Sequence, residues 1–191
     1  MFALIHGVLL RPLPVRQQDK LILAWKEQRV SSSVRYPFGN TEIESLARAS
    51  QLLEMAAGVT RNGVGRAVVT DGGASSYANV GLVTGGFFDV LGVQPILGRA
   101  LTRDDDNEGA EHVIVVSRGF WHRRYGGSPA ILGRRLAVDE QPVTIVGVMP
   151  PDLDYPTGVD IWMTTSAVPT NGPFGDAARQ EVNLLARLRP G

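Results

Sequence analysis

This 191-residue sequence lacks cysteine and net charge, and each absence excludes a class of protein or site. It has no cysteine, which excludes disulfides and thiolate metal ligands. Basic and acidic residues number 19 each, so the formal net charge is zero, whereas a nucleic-acid-binding domain needs a basic face. Hydrophobic residues make up 43% of the chain, which is enough for a packed core, so we predict a folded domain.

A long hydrophobic run is also missing. The only apolar run at either end is residues 1–10, MFALIHGVLL, whereas spanning a bilayer takes about 20 residues. It has neither the basic start nor the small-residue cleavage site of a signal peptide. Two interpretations stay open: a short buried or interfacial helix, or the outer end of a transmembrane helix whose beginning is missing.

The sequence lacks the common motifs for catalysis and cofactor binding. No glycine pair belongs to GxGxxG or to a phosphate-binding loop, and no serine lies in GxSxG. His6, His112 and His122 do not have the spacing of zinc ligands on a helix. Residues 104–106 with Glu108 could hold a cation, but they lack the EF-hand register, so we predict a solvated loop. We therefore predict no catalytic residues, no cofactor-binding residues and no metal ligands, and hence a protein that is not an enzyme.

The clearest secondary-structure pattern in the sequence lies between Val113 and Pro151. Val113–Val116 is a β-branched run typical of a buried strand, and Ser117 can cap the following helix. Gly126 is suited to end that helix, and a short turn follows at Ser128-Pro129 and ends at Gly133. Two strands, Arg134–Val138 and Pro142–Val148, are then predicted around a turn at residues 139–141.

The remaining segments predict an α+β fold. A helix over about 41–50 starts with a capping-box pattern from Thr41 to Glu44, and a short helix at Phe87 should end at Gly92. Asn62-Gly63 predicts a hairpin between two strands. The predicted strands are 21–25, 55–60, 65–70, 76–83, 160–165 and 182–188. Their order around the first helix suggests a split βαβ layer. Because no strand follows 182–188 to pair with it, we expect the chain to be cut within a larger domain.

Two residue groups have both a structural and a functional interpretation. The aromatic and apolar side chains at helical or strand spacing favour core packing, although the aromatics could line a ligand pocket. This group comprises Phe87, Phe88, Leu91, Phe120, Trp121, Tyr125 and Trp162. The second group, Arg123, Arg124, Arg134 and Arg135, is either a solvated helix end and edge strand or a docking surface for an acidic partner or anionic head groups. We expect charge reversal at Arg123 and Arg124 to leave folding nearly intact. Turns should use Gly92, Gly98, Gly126 and Gly133.

Several stretches in order resemble the MacB-like periplasmic core domain of ABC-transporter permeases, in the duplicated branch with FtsX-like membrane regions. They are VLLRPLP at 8–14, GFFDVLGVQPILGR at 86–99, the whole of 113–151, DIW at 160–162 and ARLRPG at 186–191. The sequence departs from the family at Asp139-Glu140-Gln141, where a glycine is common.

The resemblance implies a porter-like βαβ layer with an inserted smaller β-rich, Sabre-like subdomain. Residues 1–14 would be the end of a truncated transmembrane helix and its exit, and 15–191 the core domain, cut at its C-terminal end. The porter-like part would cover about 15–100 and 180–191, and the insertion about 101–179.

The implied function is mechanical. The domain would lie on the periplasmic or extracytoplasmic side of the inner membrane, between the first two transmembrane helices. It would pass ATP-driven helix motion to an exported substrate or to outside partners. Implied partners are the membrane, an ABC ATPase, a second permease copy and an extracytoplasmic adaptor, with no nucleic acid and no cofactor. The alternative is a stand-alone ligand-binding or sensory module, which the aromatic content motivates.

Overall fold

A computed structural model describes residues 2–5, 15, 17–29, 33–36, 38–168 and 182–190. Within them lie three α-helices and eleven strands. The helices are α1 (Asn40–Ala49), α2 (Phe87–Leu91) and α3 (Arg118–Tyr125). The strands are β1 (Phe2–Ile5), β2 (Leu21–Arg29), β3 (Ser33–Tyr36), β4 (Leu53–Asp71), β5 (Ala74–Val83), β6 (Leu97–Gly98), β7 (Val113–Ser117), β8 (Arg135–Val138), β9 (Gln141–Met149), β10 (Ile161–Thr164) and β11 (Val182–Leu188). The predicted α+β class is confirmed.

One part of the molecule is an open sheet with a helix on each face, called here the open layer. Its strands run in the order β1-β2-β11-β4, with β3 beside β2. β2 and β4 are both antiparallel to β11, so they are parallel to each other and joined through α1. This is the predicted split βαβ unit. Alternate residues of β11 serve opposite faces: Leu184 packs in the cluster beneath α1, and Leu185 packs in the cluster around α2.

The other part is a closed ring of six strands, called here the ring. Each strand pairs with the next in the order β4-β5-β10-β7-β9-β8, and a short ladder between β8 and β4 closes it. Side chains from all six strands point inward and form one hydrophobic cluster, as strand alternation requires. Phe120 of α3 and Ile131 of the following turn are buried in the same cluster. α3 therefore packs against the ring.

β4 belongs to both parts. It pairs with β11 at its start and with β5 and β8 at its end, which contradicts the predicted Asn62-Gly63 hairpin. Asn62 and Gly63 lie instead within β4, where its pairing with β5 shifts register between Val59 and Val64. The true hairpin joins β4 to β5 at Gly72-Gly73, where both glycines have positive φ. The ring therefore takes two strands from the range 15–100, and the predicted division at about 101–179 stays a prediction.

Other boundaries correct the sequence-based expectations. The cap of α1 is Gly39, whose N–H donates to the Glu42 carboxylate, so the helix starts earlier than predicted and Thr41 to Glu44 does not cap it. β11 pairs with β2 on one side and with β4 on the other, and the expectation of a cut chain stays a prediction. Phe2–Ile5 pair with β2 as a strand, not as a helix.

Some predictions fall outside the described residues. Of the predicted transmembrane end and exit at 1–14, residues 1 and 6–14 belong here. Among the helices of the described residues, none has the length and apolar character to cross a membrane.

Candidate functional site

The predicted basic group lies where α3 meets the tip of the β4–β5 hairpin. Ser117 accepts a hydrogen bond from the Phe120 N–H at 3.2 Å and caps α3, as predicted. Gly126 ends the helix with a left-handed φ of 61°, a conformation that costs glycine little. This early stop leaves Arg123 and Arg124 in the last helical turn, beside the strands of the ring.

Three of the four arginines bind other parts of the domain. Arg123 Nη2 lies 2.5 Å from Asp160 Oδ1, and Arg124 donates to Ser76 Oγ and, at 3.1 Å, to the Ala74 carbonyl. Arg134 forms the third link, described below, while Arg135 is exposed on β8. The prediction that reversing Arg123 and Arg124 leaves folding nearly intact conflicts with these contacts, because reversal would place two carboxylates beside Asp160 and Asp71.

Asp71, at the end of β4, is the centre of the cluster. Its two carboxylate oxygens accept hydrogen bonds from Arg134 Nε and Nη2 at 2.7 and 3.0 Å, and Tyr125 Oη donates at 3.0 Å. The hydrogen bonds from Arg134, helped by the one from Tyr125, hold the pKa of Asp71 below its usual value. Burial, together with the neighbouring Asp71, raises the pKa of Tyr125. The Asp71 carboxylate therefore stays ionised at neutral pH and the Tyr125 hydroxyl stays protonated.

A groove opens beside this cluster, called here the arginine groove. Its volume is about 660 Å³, within the range of roughly 300–1,000 Å³ typical of ligand pockets. The residues that line it come from α3, the 129–131 turn and the hairpin tip. They are Asp71, Ala74, Arg123, Arg124, Tyr125, Ser128, Ala130, Ile131 and Arg134. Sequence spacing placed the arginines together, but could not show that Asp71 lies among them.

The acidic segment is not simply the solvated loop that was predicted. Asp104 is exposed, but the side chain of Asp105 is only 9% exposed and accepts two 2.8 Å hydrogen bonds from Arg99. Asp106 accepts a 2.6 Å hydrogen bond from the Gly85 N–H, just before α2. Two of the three aspartates therefore fasten this segment to the domain.

The pKa values of these two neighbouring aspartates are shifted in opposite directions. Burial alone would raise the pKa of Asp105, but hydrogen bonds from Arg99 and the Thr102 N–H keep it below the usual value. Asp106 has no such cation: burial raises its pKa to about 6, although the bonds from Gly85 and Ser166 oppose the shift. At pH 7 its ionised carboxylate is therefore stabilised by hydrogen bonds from uncharged donors, the Gly85 N–H and the Ser166 hydroxyl.

The aromatic residues mostly pack in the core, as predicted. Phe87, Phe88, Phe120 and Trp162 are at most 4% exposed, and Trp121 is half-buried. Phe88 packs edge-to-face on Trp162 with ring centroids 5.7 Å apart, joining α2 to β10. Of the six aromatics, Tyr125 alone lines the arginine groove, which weakens the main reason for the ligand-module alternative. All four predicted turn glycines have positive φ.

Arg187 is the residue that sequence reasoning missed. It lies in β11, is 4% exposed, and points towards the C-terminal end of α2. Its Nε donates to the Val90 carbonyl at 2.9 Å, its Nη2 to Leu91 at 3.2 Å, and its Nη1 to Gln17 at 3.3 Å. The available signal was a cation on the apolar face of a predicted central strand, since the last carbonyls of a helix need donors.

The described residues also show no group suited to metal chemistry. No three His, Cys, Asp or Glu side chains within them form a cluster that could hold an ion. His112 is used through its backbone carbonyl, which accepts from the Thr144 N–H, and the ring of His122 packs near Trp121. His6 lies outside the described residues.

Comparison with known proteins places these features in a family context. A model of the MacB-like periplasmic core domain matches residues 1–191. No curated protein matches.

Three of the solved structures that match show the similarity of the fold. The periplasmic region of MacB from Actinobacillus actinomycetemcomitans has a TM-score of 0.68 at 16% identity, covering 88% of this chain and 74% of that one. The extracellular domain of the noncanonic ABC-type transporter YknZ from Gram-positive bacteria gives 0.62 at 15%, covering 81% and 75%. A domain of a protein described as a permease from Porphyromonas gingivalis gives 0.65 at 19%, covering 95% and 77%.

Proposed function

The chain belongs to the family of MacB-like periplasmic core domains, and from this premise we propose that it transmits mechanical change in an ABC-type permease. In this proposal it is a non-enzymatic extracytoplasmic domain that couples ATP-driven motion of membrane helices to export of a substrate or to outside partners. The working assembly would contain an ABC ATPase and a second permease copy in the inner membrane.

The observation that carries the proposal is the pairing of β2 with β11. Leu21, the first residue of β2, is the register partner of Arg187, near the end of β11. β2 therefore begins, and β11 ends, at the same side of the open layer, called here the near end. A domain that is linked to two membrane helices would receive their relative motion at this pair of strands.

The packing at the near end gives that motion a path into the domain. Arg187 joins the segment before β2, through the Gln17 carbonyl, to the end of α2. α2 lies between the two parts, because its phenylalanines contact one cluster that also contains Leu185 of the open layer and Trp162 of the ring. Since packed interiors transmit displacement, a shift of β2 and β11 should reach the ring.

The test uses a complete permease that carries this domain, assembled with its ATPase in lipid. Tyr77 lies on β5, is 65% exposed, and can be replaced by Cys and spin-labelled, since these 191 residues contain no other cysteine. We expect the distance between the labels of the two permease copies to change by several ångströms when ATP is added, and ADP serves as the control. An unchanged distance in a permease that hydrolyses ATP and exports its substrate would contradict the proposal.

A further inference from the structure

The arginine groove holds its guanidinium groups in place before any ligand arrives. Arg134 uses Nε and Nη2 to bind Asp71, and Arg123 uses Nη2 to bind Asp160. Arg124 is held by Ser76 Oγ and the Ala74 carbonyl. A guanidinium has five N–H donors, so each of these side chains retains donors beyond those used in these contacts. Fixed side chains lose little entropy on binding, which favours recognition.

The charges in the groove do not cancel. Asp71 and Asp160 are each matched by one arginine, Arg134 and Arg123. The contacts of Arg124 given above are to uncharged oxygen atoms, so its positive charge is left over. Both oxygens of Asp71 already accept hydrogen bonds from Arg134, which limits its repulsion of an incoming anion. Carboxylates fit such a site well, because a guanidinium can bind them with two parallel hydrogen bonds.

The position of the groove in the fold distinguishes between two sources of anionic groups, lipid head groups and soluble proteins. The near end lies at the start of β4, where Met55 pairs with Arg187, while Asp71 lies at the opposite end of the same strand. If the near end faces the membrane, as the proposed function has it, the groove faces away from lipid head groups. We propose that the arginine groove binds a segment rich in Asp or Glu from a soluble partner protein.

The binding experiment uses the 191-residue chain and fluorescein-labelled tetraglutamate as the probe. Tetraglutamine, inorganic phosphate and phosphatidylglycerol vesicles are the comparison ligands. We expect saturable binding that is about tenfold tighter for tetraglutamate than for tetraglutamine and that weakens as salt is added. Arg124→Gln should weaken it about tenfold. The control Arg48→Gln, at an exposed arginine of α1, should leave it unchanged.

A second variant keeps the arginines and closes the groove. Ala130 is exposed and lines the groove, so Ala130→Trp should block the peptide while thermal unfolding stays close to wild type. The proposal is overturned if the two peptides bind equally, if Arg48→Gln weakens binding as much as Arg124→Gln, or if vesicles or phosphate bind through Arg124 and tetraglutamate does not. Binding is measured without ATP or membrane helices, so its failure would leave the label-distance test of the proposed function standing.

Discussion

The open layer and the ring are fastened by different kinds of interaction. At the near end of the open layer, a buried arginine binds three backbone carbonyls. At the opposite end of β4, called here the far end, Asp71, Tyr125 and Arg134 form a cluster of side chains beside an open groove. Bonds to buried backbone fix the relation between elements, whereas the side-chain pairs at the surface leave guanidinium donors open to a ligand. The comparison suggests that the near end transmits motion and that the far end binds.

The largest effect should come from removing the buried cation. Arg187→Met removes the donors to the carbonyls of Val90, Leu91 and Gln17. The first two bonds are buried, and each buried unpaired polar group costs about 1–3 kcal/mol. We expect the free energy of unfolding to fall by about 3–5 kcal/mol in urea titrations. The matched control is Arg48→Met at an exposed site, which should change stability by less than about 0.5 kcal/mol. Equal effects of the two substitutions would contradict the structural role of Arg187.

A smaller effect should come from Asp106, where α2 meets the acidic segment. Because folding raises its pKa to about 6, the folded state binds the proton more tightly than the unfolded state, so this group favours folding increasingly as pH falls from about 7 to 4. Asp106→Asn should therefore be more stable than wild type at pH 7.5, by roughly 3 kcal/mol at most, and the difference should vanish near pH 4.

The pH dependence has a neighbouring control. The charged groups around Asp106 are Asp105, which is paired with Arg99, Arg103 near Gly86, and Glu44 on α1. Asp104→Asn changes an exposed aspartate in the same turn and should not alter the pH profile. A wild-type stability curve parallel to that of Asp106→Asn between pH 7.5 and 4 would refute the assignment.

The smallest effect belongs to the far end. Asp71→Asn removes the charge that binds Arg134 and Tyr125, and we expect about 1 kcal/mol of destabilisation, reduced by added salt. Because the pKa of Asp71 is lowered in the folded state, its contribution is present above its usual pKa and is lost as pH falls through the lowered value. Thermal unfolding at pH 7 and pH 3, with and without 1 M NaCl, measures both dependences. An effect as large as that of Arg187→Met would erase the contrast between the two ends.

Local features could be predicted from the sequence because short-range physics determines them. The strand at Val113, the Ser117 cap and the Gly126 stop all depend on neighbouring residues. β11 was also predicted with its observed bounds, since its seven mostly apolar residues are followed by Arg189-Pro190-Gly191. The order of the predicted strands and helices and the family resemblance both indicated the α+β fold class, which the comparisons confirm.

The features that could not be predicted from the sequence depend on partners far along the chain. Asn62-Gly63 is a good hairpin signal, but pairing of β4 with β11 and β5 keeps the strand continuous. Asp105 and Asp106 read as a solvated run until Arg99 and Gly85 are brought beside them. In the same way, no local pattern shows that Arg187 meets the end of α2.

The central claim is that the domain carries motion from the near end to the far end as one body. The register shift of β4 between Val59 and Val64 is where such a body would bend. The direct measurement is the distance between spin labels at Glu54→Cys and Tyr77→Cys within one domain of a complete permease, on either side of that shift. We predict that this distance stays constant with and without ATP while the distance between the two copies changes. A nucleotide-dependent change within the single domain would contradict the account.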